Sequence, residues 1–178
     1  MADEPARTAE ARIAGDPRSR ELTDRLRELY RLCEQEPQAG ALCRVWTRSR
    51  TIASDLVIEW EPVATHIRSA EGGQCSDDPD ALLRALRGLV RVDASQDQQR
   101  MVVRLLARAL YELSEIRAAI PRADELCRCW ERCEDLAHAL AGQYEAEVTF
   151  RDPEQWNAAL ATGSDRDMLL ERPWAVAE

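Results

Sequence analysis

Three thiols stand close together in Cys127-Arg-Cys129-Trp-Glu-Arg-Cys133, with His138 five residues on. Soft ligands grouped this way would support metal or thiol redox chemistry if they converged. Their spacings are two and four, not the two-residue gap of a zinc knuckle. On one continuous helix, at about 100° per residue, Cys133 lies along the apolar line, Cys129 at its edge and Cys127 about 100° away. Such thiols cannot close on one ion unless the helix unwinds. The plainer expectation is buried free Cys, acting as small apolar side chains.

The two His invite the same question. Glu131, Glu134 and His138 share a polar face with Cys127, and Asp55, Glu59 and His66 share a polar face of another helix. Dinuclear carboxylate bundles place Glu and His three apart on each of two helices. Here the nearest spacings are four and seven, away from the apolar stripes, so neither a metal nor a cofactor is expected.

The second constellation is basic. Residues 84–108 carry Arg84, Arg87, Arg91, Arg100, Arg104 and Arg108 against Asp93 and Asp97, a net +4 between flanks of −5 and −8. Arg100, Arg104, Arg108 and Tyr111 fall along one helix face. Guanidinium groups interleaved with an aromatic ring suit a phosphate backbone with a base stacked on the ring. The competing reading is a solvated face laced with weak ion pairs, because Glu112 and Glu115 lie on or beside it. An acidic protein partner would fit the same surface.

No nucleophile elbow, phosphate loop or dinucleotide glycine pattern is present. Asp77-Asp78-Pro79-Asp80 reads as a helix cap rather than a cation site. The chain therefore reads as leaning away from an enzyme, although catalytic groups need only be near in space.

The elements that must position these residues are helical. Leu22, Leu26, Leu29 and Cys33 predict a helix over Arg18–Glu36, stopped by Pro37 and Gly40. A second helix is expected over Ala41–Glu61, with Leu42, Trp46, Ser49, Ala53, Leu56, Val57 and Trp60 on one face and Pro62 as a kink or end. A third follows Asp78. A fourth runs from the capping-box pattern Ser95–Gln98 to about Ala119, burying Val102, Leu105, Leu106, Ala109, Leu110, Leu113 and Ile116. A fifth opens at Pro121 and carries Leu126, Trp130, Cys133, Ala137, Leu140 and Tyr144. Glu147–Arg151 suits a short extended piece, and Asp152-Pro-Glu-Gln155 another helix start. The predicted fold is all-α: a single-domain bundle of about five main helices with a short helical C-terminal tail. Residues 1–17 read as a flexible lead-in, 18–146 as the bundle and 147–178 as a tail packed on it.

Composition supports this class. The chain has 178 residues, 45% of them hydrophobic and 32% charged, too apolar for a wholly disordered chain. All 24 basic residues are Arg, so no side chain can form a lysine Schiff base. A net charge of −9 disfavours general affinity for nucleic acid or anionic membrane. No apolar run approaches the roughly 20 residues of a membrane span. The acidic start lacks a secretory pattern, so a cytoplasmic location with reduced Cys is expected.

The function expected from these features is a non-enzymatic helical interaction module, an adaptor or subunit of a larger assembly, with a protein as partner. Five Trp against one Phe is an unusual mix, and Trp156 and Trp174 in the tail are candidate partner anchors. The opposing expectation is that both staple the tail to the bundle. A first alternative is a helical subunit contacting a nucleic-acid backbone through Arg84, Arg87, Arg91, Arg100, Arg104 and Arg108. In size and helicity only, the chain resembles the small helical subunits of RNA-guided defence complexes. A second alternative is a small metal- or thiol-dependent protein using Cys127 and His138. The oligomeric state stays open.

Overall fold

The computed structural model of the protein describes residues 4–55, 60–69, 96–151, 153–161 and 173–177. Among them are seven helices and two short strands: α1 Glu4–Gly15, α2 Pro17–Gln35, α3 Ala39–Asp55, α4 Trp60–Ser69, α5 Gln96–Ala118, α6 Ala123–Tyr144, β1 Glu147–Phe150, α7 Pro153–Ala161 and β2 Trp174–Ala177. The chain is all-α, as its periodicity predicts. The helix expected after Asp78, with Arg84, Arg87 and Arg91, lies outside the described residues, as does the last turn expected around Met168. The chain divides into two compact units, residues 1–40 with 125–178 and residues 41–124.

In the first unit, α2 follows the predicted pattern. Asp16 is its N-cap, accepting from the Arg18 N–H at 2.8 Å, and Pro17 occupies the first turn, where a missing N–H costs nothing. Leu22, Leu26, Leu29 and Cys33 are all buried along one line. Residues expected as a flexible lead-in instead include α1, whose Ile13 is fully buried. One large apolar residue among Ala and polar neighbours has no periodicity to read, so the sequence does not predict this helix. Helix α6 ends where Glu145 takes a left-handed conformation (φ 50°) and the Ala146 N–H reaches the Ala141 carbonyl at 3.2 Å, the double-turn closure common at helix ends.

The extended piece expected after α6 is β1. It pairs antiparallel with β2, in the register Glu147↔Ala177 through Phe150↔Trp174. Phe150 meets Trp130 of α6 edge-on, with ring centroids 5.4 Å apart. Helix α7 packs against α2, where Trp156 is buried edge-on against Tyr30 at 5.8 Å.

In the second unit, α3 buries Leu42, Trp46 and Ala53, and Trp46 meets Trp60 of α4 edge-on at 5.2 Å. The helix expected through Glu61 is described as far as Asp55, and residues 56–59 lie outside the described set. Pro62 is the third residue of α4 as described. Helix α5 supplies Val103, Leu106, Leu110 and Leu113 to the core. In the last turn of α5, Arg117 grips Asp124 by two hydrogen bonds, 2.9 Å from Nε and 3.2 Å from Nη2, tying the turn into α6.

Candidate interaction surface

Helix α5 has two faces of different character. Around Leu110, the side chains of Val103, Leu106, Ala107 and Leu113 are buried. On the other side, Met101, Leu105 and Tyr111 are 60%, 52% and 40% exposed, and they are the only large hydrophobic side chains so exposed among the described residues. The apolar stripe predicts Leu105 in the core, and the structure leaves it exposed. At about 100° per residue it lies roughly 140° from Leu110, beyond the arc that a packed neighbour can cover. Arg104, Arg108, Glu112 and Glu115 are also exposed here.

The spacing 101, 104, 105, 108, 111, 112 and 115 makes this one continuous face. Tyr111 is read onto this face from the sequence, but Met101 and Leu105 are not, because the stronger Leu stripe opposite dominates the pattern. Met101 and Leu105, four apart and flanked by Arg, were the available signal. Within the same unit Glu112 pairs with Arg48 of α3. Both groups are about half exposed, so the pair adds little stability.

Of the basic island, Arg104, Arg108 and Tyr111 are thus placed together and exposed. Arg100 belongs to the first two turns of α5.

The two tail Trp sit differently. Trp156 is inside the first unit. Trp174 is half-buried and donates its indole N–H to Thr23 Oγ1 at 2.9 Å. With Ala14, Arg20, Asp24 and Arg27 it borders an open groove of about 640 Å³ between α1, α2 and β2. Asp24 and Arg27 form an ion pair across one helical turn at 3.2 Å, leaving the groove wall of mixed charge.

The thiols are buried: Cys33, Cys127, Cys129 and Cys133 in the first unit and Cys43 in the second. Cys127, expected to splay from the core line, is covered as fully as its neighbours because α6 is packed on more than one side. Cys129 donates to the Arg25 carbonyl of α2 at 3.3 Å. Its pKa is held below the ordinary thiol value, chiefly by a hydrogen bond with Cys133. Burial pushes Cys33 up to about 12, with the neighbouring Cys129 adding to it. Since the thiolate is the nucleophile, Cys33 should resist iodoacetamide in the folded protein at neutral pH and react once unfolded. Peptide mass mapping after brief labelling checks this; equal labelling of Cys33 in both states would contradict its burial. Among the described residues no three His, Cys, Asp or Glu side chains are grouped to hold a metal ion, and His138 is exposed.

A polar hub joins α1, α2 and α6. Besides the Arg18 N–H, Asp16 accepts from Arg18 Nε at 3.0 Å, Arg18 Nη2 at 2.7 Å and the Tyr144 hydroxyl at 2.9 Å, while Arg18 also reaches Gln143. Arg12 lies over the Tyr144 ring, 5.3 Å from its centroid. The Arg18 side-chain hydrogen bonds hold the Asp16 carboxyl well below the usual carboxylate range, with the Arg18 backbone N–H adding to them. A carboxylate depressed in the folded state stabilises above its unfolded pKa and loses that contribution as pH falls through the folded one. Asp16→Asn should therefore be less stable than wild type at neutral pH, with the difference shrinking below about pH 4. Urea titrations at several pH values read this; a pH-independent difference would exclude the charge as its source.

Compared with models of known protein families, with curated proteins and with solved structures, the chain matches none of them. No helix among the described residues is long and apolar enough to cross a membrane.

Proposed function

We propose that this protein is a cytoplasmic, non-enzymatic interaction module that binds a protein partner through the exposed face of α5. The observation that carries this reading is the gathering of Met101, Leu105 and Tyr111 on that one face. Scattered exposed apolar side chains need no explanation, but Met101 and Leu105 lie one turn apart and, with Tyr111 across the charged residues of the same face, make the mixed apolar and charged surface that docks a partner. Arg and Tyr are favoured where partners are anchored, and both are present here.

The reading is tested by native co-purification of wild type and Leu105→Glu. A stoichiometric protein retained by wild type and lost from the variant, with unchanged helical circular dichroism, is the expected result. Retention of the same proteins by both would overturn it.

Arg104, Arg108 and Tyr111 exposed together also favour a second reading, contact with a nucleic-acid backbone. Glu112 and Glu115 on the same face and a net charge of −9 weigh against it. Binding to single-stranded RNA at low ionic strength that weakens steeply with added salt would support it; no gel shift at low salt would dispose of it.

A further inference from the structure

The exposed face of α5 is polarised along its length. Arg104 and Arg108 occupy its N-terminal half, Glu112 and Glu115 its C-terminal half, and Tyr111 lies beside them. A face of that kind complements itself when two copies run antiparallel, because the basic half of each then meets the acidic half of the other. Run parallel, it would set like charge against like. We infer that the protein partner is a second copy of this chain, docked α5 to α5 about a twofold axis. The inference rests on the proposed use of this face and names what binds there.

Helix geometry selects a register. In an antiparallel twofold pair, residues on the same side of the contact line face each other, at equal distances from the axis. An axis between Ala109 and Leu110 sets Arg104 of one copy opposite Glu115 of the other, and Arg108 opposite Tyr111. Both pairs lie on one side of the contact line. On the other side, Leu105 of one copy falls between Glu112 and Ile116 of the other. Met101 falls at the level of Ala118 and Ala119, both exposed. Each contact occurs twice, so the apolar side chains are covered at both ends of the pair.

The whole-molecule charge opposes self-association, but this effect is the weaker one at physiological salt. The Debye length there is about 8 Å, so distant like charges are screened while opposite charges in contact keep their attraction. The pair is accordingly expected to form at micromolar concentration rather than more tightly.

The test is sedimentation velocity of the full chain, with Arg104→Glu and Glu115→Arg made separately at exposed positions. Wild type should show a concentration-dependent monomer–dimer equilibrium. Each variant alone places like charges opposite at two sites and should weaken the dimer by more than ~100-fold. Mixing the two variants restores both opposite-charge pairs, so a heterodimer of near wild-type affinity should appear. That rescue separates a contact from a folding defect. Wild type that stays monomeric to about 100 μM, dimers that persist in both variants, or a mixture that fails to associate would each overturn the inference. Monomeric wild type, with Leu105→Glu still losing a co-purified protein, would sink the second-copy inference alone. Leu105→Glu that leaves both dimerisation and co-purification unchanged would sink the use of this face.

Discussion

Trp156→Ala is expected to destabilise the unit of residues 1–40 and 125–178 by about 3–5 kcal/mol, the range for emptying a buried Trp site. The ring is almost fully buried and packs edge-on against Tyr30. Helix α7 also approaches the start of α3 closely. A Cβ at Gly40 would sit on Glu154 Cγ and 3.2 Å from the Glu154 backbone N. Gly40→Ala should therefore also destabilise, by about 1–3 kcal/mol of overpacking less the roughly 1 kcal/mol that Ala gains over Gly in a helix. Urea unfolding followed by circular dichroism measures both. A loss below about 1 kcal/mol for Trp156→Ala would mean that the ring is not a core element.

The second large effect is at Trp46. Trp46→Ala should cost about 3–5 kcal/mol, since its ring is buried in α3 against Trp60. Trp46→Phe should be much milder than the change in ring area suggests. The Trp46 indole N–H is buried with no acceptor among the described residues, and so is that of Trp60. A buried donor without a partner carries a penalty of about 1–3 kcal/mol, which Phe removes. Thermal unfolding of the two variants side by side decides it. A Phe variant as damaged as the Ala variant would show that the N–H makes a bond after all.

Much of the helical scaffold is legible without coordinates, and the reason is local. Leu22, Leu26, Leu29 and Cys33 recur at helical spacing and are buried on one line of α2. Pro37 stops that helix within a residue or two of where it should. These signals depend only on residues a few positions apart, which is the range over which backbone geometry is decided. The candidate face was legible in part: Arg104, Arg108 and Tyr111 were placed on one side of a helix, but Leu105 was assigned to the other.

By itself, then, the amino-acid order determined an all-helical chain, most of its helix positions and a charge pattern that changes sign along α5. The tertiary structure alone decided which apolar stripes are covered, leaving Leu105 in solvent and hiding Cys127 and Trp156. It also decided that residues 147–150 pair with residues 174–177, and that the chain forms two units. Periodicity reports which side chains share a face; how much of that face is buried depends on the width and position of segments remote in the chain, and no local pattern encodes those.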